Sequence, residues 1–265
     1  MTLILARGVY FAAAMLLFGG AVFRTLLKTN LKLDVPARLH QSILAVALVA
    51  GCTWLALAAG EMAGRLDASV LTQTITGTLF GQVFVLRLAT LLGLLLVPDG
   101  WIAAVLAGLA LALPAITGHA AQSSPAGFIA IGATLDAVHL LAAGAWIGGL
   151  AVLLAIRQRP AFAAALALFS DMAMIAVLVL VMTGLINAVS ILLGDKGADA
   201  PLYLGVLGAK LGLVLAMLVL AAVNRFRLLP SGATGAVARN AAIELVLGGI
   251  VILLAGWLGQ LAPTL

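Results

Sequence analysis

Residues 128–156 read FIAIGATLDAVHLLAAGAWIGGLAVLLAI, an apolar run interrupted by one carboxylate, Asp136, and one imidazole, His139. A spanning helix needs roughly 20 apolar residues, and this run exceeds that before it meets Arg157 and Arg159. Seven further runs of the same kind, at about 3–27, 42–63, 78–97, 101–117, 163–193, 202–224 and 240–260, take up most of the remaining chain. The breaks between them carry Pro, Gly and charge: Lys28 to Pro36, Glu61 to Asp67, Val97-Pro98-Asp99-Gly100, Gly118 to Gly127, Arg157 to Pro160, Gly194 to Pro201 and Arg225 to Arg239. Of 265 residues, 65% are hydrophobic and 9% charged, against about 45–50% and about 25% in soluble domains. The expectation is an all-α polytopic membrane bundle of eight transmembrane helices, a single integral membrane domain over 1–265. A net charge of +5 does not make so apolar a chain a nucleic-acid binder. Cys52 is the only cysteine, which excludes a disulfide framework and a cysteine-ligated cluster. The first run is longer than a signal-peptide core and has no small-residue cleavage site, so it reads as helix 1.

Basic residues in short loops set orientation. The loops and flanks after helices 1, 3, 5 and 7 hold nine: Arg24, Lys28, Lys32, Arg38, Arg157, Arg159, Arg225, Arg227 and Arg239. The opposite side holds Arg65 and Lys196. Both termini are therefore expected on the outer side, which is periplasmic for a protein of the bacterial inner (cytoplasmic) membrane.

The chain also matches itself. Arg7-Gly-Val-Tyr10 followed by Gly19-Gly20 has the spacing of Asp136-Ala-Val-His139 followed by Gly148-Gly149. Phe80 and Arg87 have the spacing of Tyr203 and Lys210. The offsets, 129 and 123 residues, differ by loop length only. Two matches in register suggest a four-plus-four parallel internal repeat with halves near 1–127 and 128–265. The glycine pairs read as packing residues, since small residues let membrane helices approach.

Applied to this topology, the intramembrane polar residues collect in the outer half: Arg7, Tyr10, Glu61, Arg87, His119, Asp136, His139, Asn187 and Lys210. Central charges cost about 2.5–3.5 kcal/mol each on insertion scales and normally pair or face a wet cavity. The expectation is one polar pocket opening outward, with structural ion pairs as the competing reading for Arg87, Lys210, Asp136 and Glu61. Asp136 and His139 share a face at i, i+3, so Asp136 can orient the imidazole. Trp146, seven residues on, shares that face and can wall the pocket. Gly118 turns His119 toward the pocket mouth. Imidazole and thioether suit soft ions such as Cu(I), so Met62 can join the two histidines. His40 reads as an interfacial residue, and Met15, Met182, Met217 and Cys52 as core. No HxxxH or CxxC spacing is present.

At these residues the chain resembles the bacterial copper resistance protein D (CopD) family. The likeness rests on Thr117-Gly-His-Ala120, Asp136-Ala-Val-His-Leu-Leu-Ala-Ala-Gly-Ala-Trp-Ile-Gly-Gly149, Phe169-Ser170 and Thr183-Gly-Leu-Ile-Asn187. It continues through Tyr203 to Lys210-Leu211, Asn224-Arg-Phe-Arg227 and Pro230, with Thr78, Phe80-Gly81 and Arg87-Leu88 in the third helix. Leu204 departs from the glycine expected after Tyr203. The resemblance implies copper handling at the cytoplasmic membrane, often beside a periplasmic β-sandwich carrier, CopC. It places His119 and His139 at the family's histidine positions.

The leading expectation is a copper-binding protein that accepts copper, with Cu(I) favoured, from the periplasm and passes it inward. His119 receives it, His139 holds it deeper, and Met62 completes the site. Arg87 and Lys210 would pair with Asp136 or Glu61. The inner half offers no evident polar path, since Asp171, Asn224 and Glu244 read as close to the inner surface. Two other readings stand beside this one. One is a haem- or quinone-linked redox protein, in which His119 and His139 would hold a single haem. The other is an adaptor that docks a CopC-like carrier. Homo-oligomerisation stays open, and with no nucleophile and base pair no enzyme activity is expected.

Overall fold

The computed structural model describes residues 1–34, 38–118, 129–193 and 200–261. Among them the chain forms α1 (Thr2–Leu31), α2 (Arg38–Ala63), α3 (Ala68–Gly77), α4 (Leu79–Leu96) and α5 (Gly100–Ala112). It continues with α6 (Ile129–Ala155), α7 (Phe162–Leu193), α8 (Ala200–Val223) and α9 (Thr234–Leu258). A 3₁₀ turn, Leu113–Thr117, prolongs α5, and a π-helical turn, Asn224–Leu228, prolongs α8. All but α3 are long and apolar enough to cross a membrane, α5 together with its 3₁₀ turn as Gly100–Thr117, which makes eight candidate spans among the described residues. Their outward faces carry large apolar side chains such as Leu96, Ile175 and Val246, exposed by 85%, 67% and 65%. Helices apolar on every face need hydrocarbon around them. This is a multi-pass membrane protein.

The short helix α3 falls outside the apolar runs because Thr72, Gln73, Thr74 and Thr76 break its hydropathy. Local chemistry builds it. Asp67 caps it, accepting from the Val70 amide at 2.9 Å and the Ser69 hydroxyl at 2.7 Å. Thr78 then caps α4 through the Gly81 amide at 3.0 Å. Gly81 admits the tight α3–α4 corner, since a Cβ there would overlap the Thr74 carbonyl and stand 2.6 Å from Ile75 Cα. The Ser69 and Val70 bonds hold the Asp67 carboxyl below the usual carboxylate range. A lowered folded value makes the cap's contribution present above the unfolded value and lost as pH falls through the folded one. Protection of the Val70 and Leu71 amides, taken as exchange relative to the free-peptide rate at the same pH, should fall in acid in the wild type. In Asp67→Asn, which keeps an oxygen acceptor but does not titrate, protection should lack that acid-dependent fall.

At the centre α1 packs along α6, and each also contacts α5, α7 and α9. Two glycines set that crossing. A Cβ on Gly19 would overlap the Gly144 carbonyl and lie 2.9 Å from Gly148 Cα. A Cβ on Gly148 would overlap the Met15 carbonyl and lie 2.7 Å from Gly19 Cα. The contacts are reciprocal: Gly19 meets Gly144 as Gly148 meets Met15, and both pairs are related by the 129-residue offset. Gly149 instead faces α7, where a Cβ would stand 2.6 Å from Met172 Cε.

Pro114 explains the 3₁₀ end of α5. Lacking an amide hydrogen, it leaves the carbonyl four residues back, Ala110, without its helical donor. The Tyr10 hydroxyl donates to that oxygen at 2.8 Å. Met15 and Met217 lie in the core, as expected, but Cys52 is exposed and Met182 is 60% exposed. Their positions on α2 and α7 face outward, and apolar periodicity cannot separate lipid-facing from core-facing sides of a span.

Candidate functional site

The polar residues expected in one pocket gather instead in two groups, one in each half of the chain. The first lies among α1, α2 and α4. Arg87 is 1% exposed, with its guanidinium carbon 4.1 Å from the Tyr10 ring centre and 4.3 Å from those of Trp54 and Phe84. Its Nε donates to the Tyr10 hydroxyl at 3.3 Å, which passes its own hydrogen to Ala110. Arg7 reaches the far end of α9, where Nη1 donates to the Gly259 carbonyl at 2.8 Å. Its guanidinium also sits 5.3 Å from the Trp54 ring.

The expected Arg87–carboxylate pair is therefore replaced by an aromatic cage. Cation–π contacts give about 0.5–2 kcal/mol each, and the three offset part of the cost of burying one charge whose Nη2 has no hydrogen-bond partner. Phe84 and Trp54 were legible as apolar residues only; nothing in spacing shows that rings from α2 and α4 close over one side chain. Arg87→Ala should empty a cavity under the cage and lower stability by about 2–5 kcal/mol. Arg87→Met, which keeps volume without charge, should lower it less. Thermal unfolding in detergent compares the two.

The second group joins α6, α7 and α8. His139 Nδ1 lies 2.9 Å from Thr183 Oγ1. The single hydroxyl hydrogen of Thr183 goes to the Val179 and Leu180 carbonyls, at 2.8 and 3.2 Å. With that hydrogen so placed, Oγ1 accepts from Nδ1–H, the Leu180 backbone is a further partner of the ring, and in this tautomer Nε2 carries the lone pair. Thr183 thus takes the orienting role that the i, i+3 spacing suggested for Asp136. Gly184 faces the ring, and a Cβ there would stand at a contact distance of 3.4 Å from His139 Cε1. Asp136 Oδ1 accepts from Asn187 Nδ2 at 2.8 Å, and Oδ2 is 3.6 Å from where a Gly118 Cβ would stand. Lys210 is half-buried. Its charge acts on both His139 and Asp136, and Tyr203 also feels Asp136. Asp136, His139, Asn187 and Lys210 are brought together as expected, with Thr183 and Tyr203 added.

Three expectations need correction. Glu61 is exposed and Met62 is 61% exposed, at the end of α2, which packs on α1, α3 and α4. Neither is brought to His139. Trp146 does not wall this group: together with Glu244 it lines a cleft toward the basic end of the bundle. Asn224 and Glu244, read from the sequence as close to the inner surface, line that cleft. Glu244 is 2% exposed there and accepts from Asn224 Nδ2 at 2.8 Å. His119 lies outside the described residues.

His40, at the start of the second span, is buried at 2%, with neither ring nitrogen hydrogen-bonded. Arg24 and Asp99, joined at 3.5 Å, are the charges that act on it. Among the described residues no three His, Cys, Asp or Glu side chains cluster closely enough to hold a metal. The donor that they do supply is one oriented imidazole with an open Nε2. Imidazole suits copper.

Residues 1–128 match a family profile described as the copper resistance protein D-like N-terminal domain. Residues 163–258 match the profile described as copper resistance protein D. Asp136, His139 and Trp146 stand in the stretch between the two. Neither a curated protein nor a solved structure matches the chain.

Proposed function

The chain belongs to the copper resistance protein D family, and on that premise we propose that it binds copper in the bacterial inner membrane and passes it inward through its C-terminal half. The observation that carries this reading is the Nδ1–Thr183 bond, which leaves His139 Nε2 as a metal donor. Outer groups that hold the second ring nitrogen of a ligating histidine fix its tautomer and raise its basicity. His119 follows Gly118, which lies against Asp136, and in this reading it supplies the second imidazole at the periplasmic mouth. Lys210 shares Asp136 with the incoming ion, so binding and release trade one cation for another. Copper is cargo here, and no covalent step is involved. A periplasmic carrier of the CopC type is the proposed donor.

The two groups read as one duplicated site. Tyr10 and Arg87 correspond to His139 and Lys210 at offsets of 129 and 123 residues. In the N-terminal copy a fixed guanidinium fills the aromatic cage; in the C-terminal copy the imidazole keeps an open nitrogen. We propose that the first copy is structural and the second moves the ion. Copper uptake into proteoliposomes tests this. His119→Ala should reduce uptake to the protein-free background, whereas uptake equal to wild type would rule out His119 as the receiving ligand.

A further inference from the structure

We infer that Glu244 is a proton-binding station in the basic-end half of the C-terminal bundle, exchanging its proton through the cleft between α7 and α8. Its surroundings are neutral donors. Oε1 accepts from Asn224 Nδ2 at 2.8 Å, and Asn224 is itself fixed by Asn240 Nδ2 at 2.9 Å. The indole of Trp146, whose nitrogen only donates, lines the same cleft beside the carboxyl. Neither neighbour brings a charge to balance an ionised carboxylate buried at 2% exposure.

The cation that shares the cleft is Arg225, and it is already engaged. Its Nη1 donates to Ser170 Oγ at 2.6 Å and to Asp171 Oδ1 at 3.1 Å. On the neighbouring elements, Arg24 of α1 is paired with Asp99, and Arg239 of α9 is exposed. Lys210 of α8 belongs with Asp136 and His139. The cleft has a volume of about 230 Å³, room for several waters at roughly 30 Å³ each. Asn224 and Arg225 both come from the π-helical turn, a distortion that recurs at functional sites. No group of three metal-type ligands includes Glu244 among the described residues, so a proton fits this carboxyl better than a metal ion.

Trp146 ties the station to the other group. It stands seven residues, about 10 Å, along the same face of α6 from His139. Resting on the copper reading, the proton leaves the Glu244 carboxyl for cleft water as the cation departs from His139. The carboxylate left behind offsets the charge of the passing ion.

Infrared difference spectra of the full chain across a pH titration test the station directly. The wild type should show a protonated-carboxyl C=O band that disappears as pH rises, and Glu244→Gln should lack it throughout. Identical titrations in the two proteins would overturn the proposal. Should Glu244→Gln fail to fold, Trp146→Phe carries the test, because losing the indole donor should shift the band; an unshifted band would overturn it. In proteoliposomes the wild-type copper flux should respond to an imposed pH gradient and the Glu244→Gln flux should not. An unchanged response in the variant would overturn the coupling. A wild type that binds no copper would overturn the copper reading and the coupling, but not the infrared assignment.

Discussion

Gly19→Ala and Gly148→Ala should each sharply reduce the yield of folded protein in membranes. Overpacking a core usually costs about 1–3 kcal/mol, because flexible side chains give way. Here the new methyl group meets backbone: the Gly144 carbonyl and Gly148 Cα in one case, the Met15 carbonyl and Gly19 Cα in the other. Neither helix can yield locally, so α1 and α6 must separate along their length. Every contact that these two central helices make with α5, α7 and α9 is then disturbed. Against a total stability of about 5–15 kcal/mol, that is enough to unfold the bundle. Gly205→Ala, Gly208→Ala and Gly212→Ala on α8 provide the contrast, since a Cβ at each meets nothing within 4 Å. They should fold as well as the wild type, or better by about 0.5–1 kcal/mol each from helix propensity. Detergent-solubilised yield and melting temperature read both sets. Equal behaviour of the two sets would mean that the α1–α6 crossing is not set by these glycines.

His139→Ala should abolish specific copper binding by the purified protein while leaving its melting temperature near the wild-type value. The side chain is only half-buried, so its removal disturbs little packing. Its loss takes away the Nε2 donor altogether. Thr183→Val keeps the shape of the threonine but removes the acceptor of Nδ1–H. The ring is then free to turn and to change tautomer, and affinity should fall about 10–100-fold, as it does when an outer-shell partner is lost. Lys210→Met should act in the opposite direction. It removes a positive charge that acts on His139 and on Asp136, so a bound cation no longer competes with it. Equilibrium dialysis against Cu(I) in reductant separates the three. Wild-type affinity in Thr183→Val would show that the ring does not need that bond.

The C-terminal polar group was largely legible in the sequence, and for a common reason. Asp136, His139, Asn187 and Lys210 stand out because ionisable and amide groups are scarce inside apolar runs, and topology puts them at similar depth. Thr183 was visible only as part of a motif, since a threonine in a span usually bonds its own helix, and this one does so as well. Its second role exists only because α7 approaches α6 at Gly184. Met62 looked suitable by ligand chemistry and depth, but depth says nothing of azimuth, and α2 lies in the other half of the bundle. Trp146 was placed on the correct face of α6; two turns along the helix, that face meets α9 and Glu244.

The sequence by itself determined that this is a membrane protein of eight spans, because length and hydropathy act through the bilayer and need no partner helix. It also determined the helix breaks, where Pro, Gly and charge act on their own neighbours. Tertiary structure alone decided that the polar residues form two groups, and that Arg87 lies under three rings instead of beside a carboxylate. It also decided that Glu244 faces a cleft bordered by a π-helical turn. These depend on which faces of different helices meet. In a chain apolar all round, the hydrophobic pattern carries no signal about facing. Backbone contact at Gly19 and Gly148, with the side chains packed around it, supplies what the pattern lacks.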